Sequence, residues 1–403
     1  MSCGDHVVVL GAGSIGCWVG GELSLAGGGV RVSFLMRDSA TGRALRAAVQ
    51  SVGLTLEIAG RARVLPPAAC ASAFASAGEA PERLRGATYV LVATKRHANA
   101  AVAELLAAHL PARVPIVLLQ NGLGAADEMR ALLGGAAAAD RPIHQAVVTI
   151  SATLAHAEGR VVRAGPLVEL VLDGVAPLAA LLGRAGVPTR IVPSERHACE
   201  LRGKLMLNML NAPNAIFKKA LGPMLLDRDA CALAAETMAE LRAVFATLGL
   251  RVEPRRMRAL PFVMRALAWW PLNALLRTLL ATLALLSGRD PLAGSAAKSS
   301  TVEDLDAGRP TEIAFLNGAV VQLGERVGVP TPANAAAVRA VCALEAEAIA
   351  RHAFANSAKR EGPGEGRGEA RAAEPLADAD ASDGSRTACS QEQSRTPVDG
   401  DTT

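Results

Sequence analysis

At 403 residues the chain has room for two domains with ample cores, on a scale of about 100 to 200 residues each. A 51% hydrophobic share against 20% charge marks it as globular, and 3% aromatic content makes the core largely aliphatic. Residues 358–403 hold six Lys/Arg against ten Asp/Glu, so the net charge of +4 becomes +8 over residues 1–357; this suits small anionic ligands, and no basic stripe with interleaved aromatics points to nucleic acid.

In chain order, the apolar run Val7–Leu10 leads directly into Gly11-Ala12-Gly13-Ser14-Ile15-Gly16. This Gly-x-Gly-x-x-Gly after a strand and before a helix is the phosphate-facing turn of a dinucleotide-binding unit. The first glycine permits the tight turn, the second lets backbone approach a pyrophosphate, and the third allows close helix–strand packing. A helix over residues 14–26 and a strand over 30–36 complete a βαβ unit. Where an NAD site would place an acid for the ribose 2′-hydroxyl, the strand is followed by Arg37, whose guanidinium suits a 2′-phosphate and favours NADP(H). Asp38, immediately after it, pulls the other way.

Residues 54–64 read as a hairpin, and Tyr89–Ala93 and Pro115–Leu119 as buried parallel strands ending at Lys95 and before Asn121. Ligands of open α/β sheets bind at such carboxyl ends. Residues 144–192 read as further strands at the far edge of the sheet, with a helix over 176–185. From residue 193 long helical patterns take over. The expected architecture is an N-terminal Rossmann-type doubly wound sheet (1–192), an all-α C-terminal domain (193–357) and a disordered tail (358–403).

Within the helical half, Lys204, Asn208 and Asn211 recur at i, i+4 and i+7, one polar stripe on an otherwise apolar helix. A solvated lysine is the bland reading; a lined polar pocket is the other. Residues 262–288 are the most apolar stretch, interrupted by Pro271, Asn273 and Arg277. They read as two short helices packed on the second domain or at a subunit interface, in preference to a membrane contact. Ser299 and Ser300 can cap a helix with acids in its first turn, and Thr311-Glu312 can begin another. Seven cysteines with no Cys-x-x-Cys pair indicate neither a disulfide framework nor a zinc site, and no metal cluster is evident. Together with an N-terminus that runs straight into a strand, this fits the cytoplasm.

Taken together, GAGSIG, the Lys95 of VATK, LLQNGLG around Asn121, KLMLNMLNAPNAI and SSTVEDLDAGRPTEIAFLNG resemble the ketopantoate reductase (2-dehydropantoate 2-reductase) family, in the family's order and up to about residue 350. The resemblance implies a cleft between the two domains, pantothenate biosynthesis, NADP(H) as cofactor and a homodimer. It implies that Lys204 is the catalytic proton donor and Glu312 the cleft glutamate supporting it, that Asn121 lies on the nicotinamide side and binds cofactor and substrate, and that Lys204, Asn208, Asn211 and Ser300 also bind the substrate. Arg37 and Lys95 match basic positions around the cofactor. Two departures are visible: the family's second helix asparagine falls on Ala212, with asparagines at 211 and 214 instead, and the apolar stretch 262–288 is a hydrophobic insertion just before Ser300. The expected activity is reduction of ketopantoate; the alternatives are reduction of another 2-oxo acid, or a sensor that binds NADP(H) without turnover.

Overall fold

The computed structural model describes residues 4–360 except 76, 139, 165–168 and 288–297. Thirteen strands precede residue 192, from β1 (His6–Leu10), β2 (Arg31–Leu35), β3 (Leu54–Ile58) and β4 (Arg61–Leu65) through β5 (Phe74–Ala75), β6 (Tyr89–Val92), β7 (Ile116–Leu118) and β8 (Ile143–Gln145). They continue with β9 (Val147–Val148), β10 (Ser151–Ala155), β11 (Arg160–Ala164), β12 (Leu170–Leu172) and β13 (Thr189–Ile191). Six of them form a wholly parallel sheet in the order β5-β2-β1-β6-β7-β8. Unbroken apolar runs suit strands covered on both faces. Along β1, Val7 and Val9 enter one core with Phe34 and Leu91, while Val8 and Leu10 enter the other with Val90 and Val92. The strand order reverses at β1, where β2 and β6 flank it, and that switch point is where such sheets bind ligands.

The hairpin read at residues 54–64 is present as the antiparallel pair β3–β4. The later strands depart from expectation: only β8 joins the main sheet. β10 and β11 extend the hairpin into a four-stranded sheet, and β9, β12 and β13 make a three-stranded one. Only Ala146 separates β8 from β9. Adding another parallel strand needs a crossover of a dozen or more residues, so the chain leaves the sheet here.

From Ser194 onward the described residues contain helices and no strand. Their core is aliphatic and methionine-rich, with Leu205, Met206, Met209, Met238, Leu241, Leu316 and Val320 around Phe245. The polar-stripe helix runs Ser194–Asn208 and is interrupted by a turn at Met209-Leu210 before a second helix, Asn211–Ile216. Pro213, which has no N–H to give the Met209 carbonyl, accounts for the break. Helices Arg256–Ala268 and Trp270–Ser287 cover the apolar stretch, meeting at an angle of 84°. The first packs on the core through Met264, whereas the second leaves most of its leucines exposed and so does not pack on the second domain along its length. No single described helix is long and apolar enough to cross a membrane.

Helix Pro332–Arg360 runs into the segment read as a tail, and the rest of that segment, 361–403, lies outside the described residues. Cys17, Cys70, Cys199 and Cys231 are buried free thiols, whereas Cys342 is disulfide-bonded, against the expectation from cysteine spacing. Pairing depends on proximity in space, which spacing along the chain does not reveal.

Candidate active site

The glycine turn is built as its residues require. Gly11 has φ +99°, and a Cβ there would lie 2.8 Å from the Thr94 backbone nitrogen. A Cβ on Gly16 would lie 2.1 Å from the Gly11 carbonyl oxygen and 3.2 Å from Val9, so helix Ser14–Ala26 can approach β1 only with glycine here. Gly13 is the opposite case: it caps the helix with no side-chain hydrogen bond, and no atom lies within 4 Å of where its Cβ would be. Gly11, Ala12, Gly13, Ser14 and Ile15 are half-buried and form an open rim at the helix N-terminus. Free N–H groups and empty space at a helix start fit a pyrophosphate. Arg37 stands exposed just past β2 and forms no ion pair among the described residues. Asp38 is engaged by Arg43 at 2.9 Å, so the acid that weakened the reading of Arg37 is occupied.

At the end of β6, Lys95 reaches across to the helical half. Its Nζ donates to Asp304 Oδ2 at 2.8 Å and to Glu312 Oε2 at 3.5 Å. Burial alone would lower its pKa, but Glu312 and Asp304 outweigh it and hold the ammonium above its ordinary value. Glu312 also accepts the Arg96 backbone N–H at 3.2 Å. Arg96 bonds Glu128 and the Leu123 carbonyl and lies 4.8 Å above the Phe315 ring. Asn121 follows β7 in a loop pinned by Gln145, which donates to the Gln120 and Gly122 carbonyls at 3.2 and 2.8 Å. Gly122, with φ +90°, lies against the Phe315 carbonyl oxygen, which a Cβ would meet at 2.6 Å. Leu123 packs against the helical half's core, the cluster to which Leu205 and Met206 belong. The Asn121 side chain has no hydrogen-bond partner among the described residues.

Lys204 is half-buried beside Gly203, where a Cβ would lie 1.8 Å from the Glu253 carbonyl oxygen. It forms neither ion pair nor hydrogen bond among the described residues, and burial lowers its pKa from 10.5 to about 8. The expected Lys204–Glu312 pairing is therefore not formed: Glu312 serves Lys95. One turn on, Asn208 is buried with its Nδ2 unpartnered. Asn211 is half-buried at the start of the next helix, and Ala212, buried, offers no polar group. Asn214 is structural: its Oδ1 accepts the Ser299 backbone N–H at 2.9 Å and its Nδ2 donates to the Lys219 carbonyl. Ser299 is the true cap of helix Ser300–Asp306, accepting from the Val302 N–H. That leaves the Ser300 hydroxyl with no partner among the described residues.

Two members of this cluster escaped the sequence reading. Asp304, which reads as an ordinary helix-start acid, is buried and also accepts from Arg309 at 3.2 Å; its four-residue spacing from Ser300 was the available signal. Thr94, adjoining Gly11, keeps a buried hydroxyl without a partner. Among the described residues no group of three or more His, Cys, Asp or Glu is placed to hold a metal ion.

Comparison with known proteins places the fold in a family. Residues 7–173 match the family described as ketopantoate reductase PanE/ApbA, and residues 200–345 match its C-terminal counterpart. The 2-dehydropantoate 2-reductase of Pyrobaculum aerophilum is 30% identical over 259 residues, covering 64% of this chain and 77% of the relative. A PanE/ApbA family ketopantoate reductase from Ralstonia eutropha JMP134 superposes with a TM-score of 0.65 at 26% identity, covering 85% of this chain and 99% of that one. A D-mandelate dehydrogenase bound to NADH and anilino(oxo)acetate shares the fold, with a TM-score of 0.65 at 18% identity over 85% of this chain and 99% of that one. With a parallel sheet carrying a glycine turn, a helical half carrying a partnerless lysine, and family matches over most of its length, the chain belongs to the ketopantoate reductase family of nicotinamide-dependent oxidoreductases.

Proposed function

We propose that the protein catalyses NADPH-dependent reduction of 2-dehydropantoate to pantoate. Residues 1–192 would hold the cofactor, and residues 193–357 the substrate and a homodimer contact. The observation that carries the reading is the half-buried, partnerless Lys204 with its pKa brought down to about 8. A structural lysine gains nothing from this, whereas a general acid works best when its pKa lies near the operating pH. The same observation disfavours a sensor without turnover.

When bound, NADPH supplies the hydride that adds to the C2 keto carbon. The carbonyl π pair moves onto oxygen, the Lys204 ammonium gives that oxygen its proton, and neutral Lys204 regains a proton from solvent. The unpaired Nδ2 of Asn208 and the free side chains of Asn121 and Ser300 are available to the substrate carboxylate and carbonyl oxygen. Gly11 to Gly16 would accept the pyrophosphate, and Arg37 the 2′-phosphate. Lys95, held by Asp304 and Glu312, keeps a positive charge at the strand end, where it would face a bound cofactor. Glu312 then acts through Lys95 and the Arg96 backbone, as a positioning residue.

A second reading, reduction of a different 2-oxo acid, is favoured by one observation. Ala212 supplies no hydrogen bond where the family has an asparagine, and Asn214 is committed to Ser299. A screen of 2-oxo acids by NADPH oxidation separates the two readings: ketopantoate with the highest kcat/KM supports the first, and a tenfold preference for another acid replaces it. Arg37→Ala should raise the KM for NADPH with little change for NADH; equal effects on both would refute the 2′-phosphate assignment.

A further inference from the structure

The helix Trp270–Ser287 carries an apolar surface that the reductase chemistry does not use. Trp269 and Trp270, at the 84° corner with the preceding helix, are 64% and 61% exposed; Leu275, Leu279 and Leu285 are 64%, 53% and 86% exposed. Phe262 on the preceding helix adds to the same corner at 57%, with Arg242 over its ring at 5.0 Å. Soluble monomers rarely leave so much large apolar side chain in water, and such a patch marks an interaction surface.

The polar groups of this element are arranged for an apolar medium. Thr278 donates its hydroxyl to the Ala274 carbonyl at 3.0 Å, and Thr282 to the Thr278 carbonyl at 2.9 Å, so neither hydroxyl needs water. Asn273 is buried and ties the corner by donating to the Leu267 carbonyl at 2.9 Å. Arg277 is the one charged residue between Trp270 and Ser287. On the two helices flanking the corner, Arg265 and Arg277 are exposed and form no ion pair among the described residues.

We propose that this corner docks the enzyme on the surface of an anionic phospholipid bilayer. Tryptophans favour the headgroup level, leucines beside them enter the acyl boundary, and arginines meet lipid phosphates. Neither helix alone is long and apolar enough to cross, and the 84° bend between them lays the corner against the membrane surface. The charge selects this occupant over a second copy of the chain: a twofold contact would set the patch against itself and bring like charges, Arg265 and Arg277, into the same interface. A bilayer of anionic lipid complements both features at once.

The test is co-sedimentation of the full-length protein with phosphatidylglycerol-containing vesicles and with pure phosphatidylcholine vesicles, at low and high salt. The proposal expects at least tenfold tighter binding to the anionic vesicles, weakened by salt. It also expects quenching of tryptophan emission by brominated lipid; Trp18, the third tryptophan, is 1% exposed and out of reach, so that signal reports Trp269 and Trp270 without any variant. Trp269→Ser/Trp270→Ser/Leu275→Ser should lose vesicle binding while oxidising NADPH at the wild-type rate. Protein left in the supernatant with both vesicle types would overturn the proposal. If light scattering then showed a mass that the triple variant halves, the patch would be an interface between copies. Equal binding to both vesicle types would overturn the role of the arginines.

Discussion

The sharpest prediction concerns the proton on Lys204. With a pKa of about 8, the side chain is about 90% protonated at pH 7 and about 10% at pH 9, so kcat for reduction should fall roughly tenfold between those values, as expected of a general acid. An ordinary lysine at 10.5 would remain about 97% protonated at pH 9 and leave the profile flat. The assay is initial-rate NADPH oxidation at saturating substrate, with kcat followed from pH 6 to 10. Lys204→Arg supplies the control. Its guanidinium keeps the charge but cannot release a proton in this range, so kcat should drop by about 10²–10⁴-fold and the inflection disappear. A wild-type kcat that stays level to pH 10, or an arginine variant with near wild-type turnover, would refute the assignment of Lys204 as the acid.

The same depressed pKa has a stability consequence. Between pH 8 and the ordinary lysine value the unfolded chain binds more protons than the folded one, so stability rises with pH across that window and the penalty is fully present below it. Lys204→Met, which removes the charge and keeps the length, should therefore raise Tm at pH 7 and lose that advantage by pH 10; a lower Tm at pH 7 would contradict it. Asp304→Asn leaves Lys95 with Glu312 alone and should cost about 1.5–3 kcal/mol in denaturant melts, the range for a hydrogen bond to a charged group. It should also raise the KM for NADPH more than it lowers kcat, and unchanged values of both would remove Asp304 from the site. Gly16→Ala drives a methyl to 2.1 Å from the Gly11 carbonyl oxygen, so calorimetric cofactor affinity should collapse; wild-type affinity would mean the turn can relax.

Much of this site was legible because its signals are local. The glycine turn, the strand-end positions of Lys95 and Asn121, and the stripe of Lys204 and Asn208 each follow from spacing within one element. What escaped depends on partners far along the chain. Glu312 could be named as a cleft carboxylate, but its choice of Lys95 over Lys204 is decided by packing across 217 residues. Asp304 looked like any acid in a first helical turn until its burial gave it Lys95 and Arg309. Apolar periodicity found strands beyond residue 144 without saying which sheet they join, since a two-residue strand such as β9 carries almost no register information. The stretch at 262–288 shows the converse: its apolarity was plain, but composition is the same whether a leucine faces the core or water.

The pair of carboxylates around Lys95 also bears on how the molecule comes apart. The lysine belongs to the end of a sheet strand, and its partners, 209 and 217 residues downstream, belong to the helical half. Asp304 and Glu312 have side chains only 3% and 6% exposed. Pulling the halves apart would strand two nearly buried anions without their counter-ion, and stripping one partner from a buried pair costs about 3–5 kcal/mol. Such a latch favours a chain that melts in a single cooperative transition, with both halves lost together.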